Sequence, residues 1–248
     1  RVSWAIVRGA GEIKIEAHPD ADTPNSLVVT TTTATRGFAR WLMRFEAKAA
    51  SVYDLTTGSL VSLSESSDTR GKLKSHVVAF DYADRLASYR ALDSTEPSLL
   101  AMPSGDPSDL IMALLKTRTW DLKPGESRDS LVLFDDDFYE LTIHATGYEE
   151  LSTPLGNFNT LVLEPRMEKT PPKGMFKRGS TVRVWIAQDE HRLPVRFAVE
   201  FNIGTGTATL VSHSAPSPAG NPTDKGAAPV SESSPALEVP AHAKNSGP

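Results

Sequence analysis

Thr181-Val-Arg-Val-Trp-Ile-Ala-Gln-Asp-Glu-His-Arg-Leu-Pro-Val-Arg-Phe-Ala-Val-Glu-Phe201 is the stretch that decides the fold class. Val182, Val184 and Ile186 alternate with Thr181, Arg183 and Trp185. After a polar turn, Val195, Phe197, Val199 and Phe201 alternate with Arg196, Ala198 and Glu200. A period of two on both sides of a turn puts every second side chain on one face, as in two paired antiparallel strands that rest one face on a core.

The same pattern extends outward from this hairpin. Val2, Trp4 and Ile6 alternate with Ser3, Ala5 and Val7. Gly9-Ala-Gly11 reads as a turn, and Ile13 and Ile15 then alternate with Lys14 and Glu16. His18 to Asn25 is dense in turn formers and reads as a loop. Leu27 to Thr35 is a β-branched run suited to a pleated, half-buried strand. Phe38 to Ala50 supports two readings, because Trp41, Leu42 and Phe45 have helical spacing. Strands are expected at Ala49–Tyr53, Leu60–Glu65, Leu73–Phe80 and Arg85–Leu92, with a hairpin connection at Asp54–Gly58. They resume at Ser130–Phe134, Tyr139–Gly147, Asn159–Glu164, Pro194–Ile203 and Thr207–Val211. Pro154-Leu-Gly156 and Thr170-Pro-Pro-Lys-Gly174 interrupt the ladders.

One helix is expected, over about 106–118. Asp106 is read as its cap, Pro107 as its first residue and Asp109 as a carboxylate favourable to the positive end of the helix dipole. Leu110, Ile111, Leu114 and Leu115 share a face, so this helix is expected to plug an open side of the sheet. From residue 213 to 248 the composition shifts to Pro, Ala, Ser and Gly without an aromatic residue. Such a segment cannot bury enough apolar surface to offset its ordering entropy, and a disordered tail is expected after a single β-rich domain over 1–212.

Composition narrows the partners. Acidic residues outnumber basic ones, 31 to 26, for a net charge of −5, and no Lys/Arg block stands out. Nucleic acid is therefore not an expected partner, since a phosphate-binding surface needs clustered cations. The longest apolar runs fall far short of the ~20 residues that span a bilayer. No cysteine is present, which excludes disulfides, cysteine-ligated metals and a cysteine-borne lipid anchor within this chain. The chain begins at Arg1 directly in a strand-like pattern, and a processed or trimmed start is the simplest expectation.

Few residues suggest chemistry. Asp135-Asp136-Asp137 has the hard oxygens that Ca²⁺ or Mg²⁺ prefers, but lacks the alternating ligands of a calcium loop and reads as a turn. Asp189-Glu190-His191 has acid–base groups but falls where the hairpin must reverse. No two of His18, His76, His144, His191, His213 and His242 have the spacing that places two imidazoles on one helix face. Gly-x-Ser-x-Gly is absent, and Gly204-Thr-Gly206 reads as a bend. No metal and no cofactor is expected. The candidate ligand-binding residues are the aromatic Trp4, Trp41, Tyr139 and Trp185, which can stack on a sugar or line an apolar cleft.

Several segments also resemble one family. They are Trp185-Ile186 with Asp189-Glu190 and Leu193-Pro194-Val195; Asp109 to Arg118 followed by Leu122-Lys-Pro-Gly125; Gly147 to Phe158; and Leu161-Val-Leu-Glu-Pro165. Together, with weaker echoes at Tyr53-Asp54 and Phe80-Asp81, they are similar to an exported bacterial family catalogued as domain of unknown function 3108. The resemblance runs from about Val2 to Val211. It implies a mostly antiparallel β protein, usually made with a signal peptide in Gram-negative bacteria, and hence a periplasmic location; it implies no activity. It also suggests that Phe38–Ala50 is a short bend leading into a strand. The expected fold is all-β and mostly antiparallel, a strongly curved sheet or open barrel with one short helix. Such folds enclose a concavity. The leading expectation is a non-catalytic envelope protein that binds or carries an apolar or glycan ligand. The alternatives are a carboxylate-dependent hydrolase or lyase acting on envelope polysaccharide, and a scaffold or assembly factor that recruits an envelope protein through its tail.

Overall fold

The computed structural model describes residues 2–4, 7–42, 44–177, 179–202 and 204–214. The chain divides into two units, Arg1–His213 and Ser214–Pro248. Apart from its first two residues, the tail expected over 213–248 lies outside the described residues.

The first unit is built on one sheet. Its N-terminal part holds β1 (Val2–Trp4), β2 (Val7–Pro19), β3 (Ser26–Thr35), β4 (Phe45–Asp54), β5 (Leu60–Thr69), β6 (Lys72–Asp81), β7 (Leu86–Ala91) and β8 (Ser98–Ala101). The C-terminal part holds β9 (Ser127–Phe134), β10 (Asp137–Thr153), β11 (Gly156–Arg166), β12 (Thr181–Ala187), β13 (Pro194–Phe201) and β14 (Gly204–Thr209). Each part is a meander in which consecutive strands pair antiparallel, and β1 pairs with β14 to join the two. A short helix α1 (Gly37–Leu42), additional to the one helix expected, precedes β4, which begins at Phe45, so the segment combines a helical turn with the start of a strand; α2 (Leu110–Lys116) connects the two meanders.

The sheet rolls up but does not close. Its outer strands, β8 and β9, do not pair with each other. Instead the β9–β10 hairpin is covered on both faces. Val132 and Tyr139 point into one core with Leu141, Ile143, Leu163 and Ile186. Their neighbours Leu133 and Phe138 point the other way, onto Leu63, Val78 and Ala87 of β5–β7. The curled sheet thus overlaps itself, and apolar packing does the work that a closing ladder does in a full barrel. A further cluster, with Val162, Trp185 and Ala198, occupies the opposite face of β11–β13 from Leu161, Leu163 and Val184.

Four expectations need correcting. Gly9 does not turn the chain: it sits inside β2 with φ 68°, and β1 pairs with β2 through Trp4 opposite Val7 and Val2 opposite Gly11, with a register shift between these two pairs. β2 runs on to Pro19, so only the latter part of the expected loop is a loop. β8, a four-residue strand without alternation, was not expected. The helix begins later than Asp106: Asp109 is its cap, and its Oδ1 accepts from the Met112 N–H at 2.7 Å. The reason is tertiary. Ser108 pairs with the edge of β9, its N–H donating to Leu131 O and its carbonyl accepting from Leu133 N–H, which holds residues up to 108 extended. A 3-10 turn at Thr117–Thr119 then completes the segment.

Candidate functional site

The rolled sheet lines a partly open cavity of about 410 Å³, within the size range of small-molecule sites. Its walls differ in bulk. One wall carries Leu141, Ile143, Leu163, Val182, Val184 and Phe197 from β10–β13. The facing wall carries small side chains, in register across three strands: Ile15 pairs with Thr31, Thr31 with Ala49, Ile13 with Thr33 and Val29 with Ser51. Threonine, alanine and serine cannot reach across to the leucines opposite, and the space between the walls is the result. Ile13 and Ile15 therefore keep 37 % and 39 % exposure although they line the cavity.

Helix α2 forms one side of this space, through Leu110, Ile111, Ala113 and Leu114. Ala113 packs into the core of β10–β12, whereas Met112 packs on Val29, Tyr53 and Leu60 of the other wall. The helix is tied at both ends. At its start, the Tyr53 hydroxyl donates to Asp109 Oδ2 at 2.9 Å. Burial and then the Asp109 charge push the Tyr53 phenol well above its ordinary range, so it stays a donor. Lys116 donates to Ser108 Oγ at 2.6 Å, and burial lowers its ammonium. Just past the helix, the Arg118 guanidinium donates to the carbonyls of His191 and Arg192 in the β12–β13 turn, and Arg192 donates back to Trp120 O.

Two carboxylates line the cavity. Asp109 has both oxygens engaged, one by the helix N-terminus and one by Tyr53. Glu65 is different. Its Oε2 lies 3.6 Å from His76 Nε2, outside hydrogen-bond reach. Burial, then the charges of Asp109 and Asp135, raise its carboxyl above the ordinary range. His76 is pushed the other way by burial; its ring stacks on Tyr89 at 5.0 Å, and its Nε2 is buried without a hydrogen-bond partner among the described residues. Arg196 also borders the cavity, but its guanidinium lies 5.8 Å from the Trp185 ring and donates towards Ser152 O.

Of the four aromatic candidates, the three with described side chains do not line this space. The Trp4 side chain lies outside the described residues. Trp41 is 79 % exposed on α1. Tyr139 is a core residue with Lys173 Nζ 5.4 Å from its ring centre. Trp185 belongs to the cluster on the opposite sheet face and donates from Nε1 to Glu149 Oε2 at 2.9 Å. Among the described residues no group of three or more His, Cys, Asp or Glu converges as a metal site. Asp135 and Asp136 form the tight β9–β10 turn, Asp135 at φ 63°, and Asp189 Oδ1 accepts from the His191 and Arg192 N–H groups as a turn former. Sequence reasoning did not single out Glu65, His76 or the Thr31–Thr33 wall.

Fold and site together define an incompletely closed antiparallel barrel with an apolar interior. The chain belongs to the family described as "Protein of unknown function (DUF3108)", whose model matches residues 1–211. No curated protein matches it. A similar solved structure is the crystal structure of a β-barrel-like protein of the domain of unknown function DUF1849 from Brucella abortus. The two are 8 % identical, with TM-score 0.55 over 80 % of this chain and 85 % of that one, a likeness of fold alone. No helix among the described residues is long and apolar enough to cross a membrane.

Proposed function

We propose that this protein is a non-catalytic carrier that holds an apolar, lipid-like ligand in the cavity between its sheet walls and acts in the periplasm. One observation carries the reading: isoleucines and leucines surround a space that the side chains of β3 and β4 are too small to fill. An apolar void of this kind gains free energy when an apolar guest takes it up. The lining favours an acyl or other hydrocarbon group over a glycan, because a sugar needs many converging polar partners. The periplasmic element rests on the resemblance of the closing hairpin and the Leu122–Gly125 turn to an exported family.

A carboxylate hydrolase needs two carboxylates free to act on one bond. Asp109 is committed to the helix and to Tyr53, which favours carriage over cleavage. The test is native mass spectrometry of protein exported to the periplasm, compared with the same protein refolded from denaturant. An adduct that is lost on refolding, and that is absent from Ala49→Phe, supports the carrier. Identical masses, together with failure of the refolded protein to take up decanol, refute it.

A further inference from the structure

The cavity is apolar almost throughout, so the few polar groups facing it decide which guests it accepts. Of the charged residues that border it, Asp109 has both oxygens engaged, and Arg196 directs its cation towards Trp185 and Ser152. Glu65 is left. It lies on β5 in register with Ala49, and so at the end of the row Ile15–Thr31–Ala49 that forms the small-residue wall. The basic side chain beside it among the described residues is His76, paired with it on β6, at 3.6 Å and outside hydrogen-bond reach. His76 Nε2 is itself buried and unpartnered among the described residues. A buried, unpartnered imidazole nitrogen and a half-exposed carboxylate thus sit side by side where an otherwise hydrocarbon-lined space ends.

We propose that Glu65 is the head-group anchor of this cavity and that it selects a long-chain amine, in its ammonium form, over a fatty acid of the same length. The proposal rests on the carrier reading and adds the class of ligand to it. The chemistry follows from charge. Glu65 keeps 42 % of its side-chain surface exposed, so its carboxylate stands at the rim of an apolar space, where it gains from a cation that carries hydrogen-bond donors. A second carboxylate brought there meets Glu65, with the charges of Asp109 and Asp135 nearby, and is repelled. The hydrocarbon chain then lies along Ile13, Ile15 and the leucines of the opposite wall.

The test uses the full chain and three ten-carbon probes below their micellar concentrations: decylammonium, decanol and decanoate, titrated by calorimetry near neutral pH. Decylammonium is expected to bind the wild type at least about tenfold more tightly than decanoate, with decanol between them. In Glu65→Gln, which keeps the shape and removes the charge, the amine preference should shrink to about threefold or less. In Glu65→Lys the order should reverse, and circular dichroism checks that both variants fold. If decanol binds but decanoate binds as well as decylammonium, the anchor is wrong while the cavity remains a hydrocarbon site. If the amine preference survives in Glu65→Gln, the cation is bound elsewhere and the proposal falls. If none of the three probes binds, the carrier reading fails and the anchor with it.

Discussion

Replacing Tyr53 with Phe removes one oxygen from a residue that is 2 % exposed. That oxygen donates to Asp109 Oδ2 at 2.9 Å, and Asp109 in turn caps α2 through Met112 N–H. A hydrogen bond to a charged acceptor contributes about 1.5–3 kcal/mol, and the ring itself stays packed, so Tyr53→Phe should cost about 2 kcal/mol. For a domain of this size that is a fall in Tm of roughly 4–8 °C. Asp109→Ala loses the cap, about 1 kcal/mol, and strands a buried phenol for about 1–3 kcal/mol more. Each single variant breaks the same bond, so the double variant should cost at least about 1 kcal/mol less than the sum. Urea denaturation followed by tryptophan fluorescence and by far-ultraviolet circular dichroism provides the midpoints, with coincident curves as the two-state check. Additivity within about 0.5 kcal/mol would refute the claim that the Tyr53–Asp109 bond ties the helix to the far wall.

Three further outcomes follow from the same geometry. Partial burial, then the charges of Asp109 and Asp135, hold the Glu65 carboxyl above the ordinary carboxylate range; its stabilising contribution is present below the unfolded value, about pH 4.3, and is lost as pH rises through the folded one. Glu65→Gln should therefore gain in Tm relative to wild type as pH rises above about 4.3, and a difference that stays constant with pH would contradict the argument. Ile186→Ala, at a position 1 % exposed in the core of β10–β12, should cost about 2–5 kcal/mol in the same urea assay. Arg118→Ala frees the carbonyls of His191 and Arg192, so amide exchange should accelerate in the β12–β13 turn while the core of β11 stays protected.

Much of this architecture was legible in period-two alternation: the hairpin Thr181–Phe201 is β12 and β13, and the other expected strands appear with shifted ends. The failures share a cause, which is that pairing partners are invisible to a linear reading. Asp106-Pro107 has the chemistry of a helix start, yet Ser108 is held extended by β9 and the cap passes to Asp109. The cavity was harder still. Glu65 lies in phase with Leu63, but Leu60 is also buried three positions earlier, because an irregularity in pairing leaves Val61 as an extra residue exposed at 43 %. That break in phase hid the inward-facing carboxylate. The aromatic residues stood out by size, whereas the lining of the space is decided by small residues, whose effect is visible only beside their neighbours.

The pairing of β1 with β14 has a consequence for how the chain is made. Val2 is in register with Ala208, so the strands that join the two meanders are among the first and the last of the domain to be synthesised. Until β14 is available, the N-terminal meander ends in an unpaired β1 edge, and the ladder that links it to the second meander must close over nearly the whole domain. Contacts of such sequence separation form slowly and leave a strand edge open to intermolecular pairing in the meantime. A nascent chain arrested before residue 204 should therefore be far more prone to associate than the finished one.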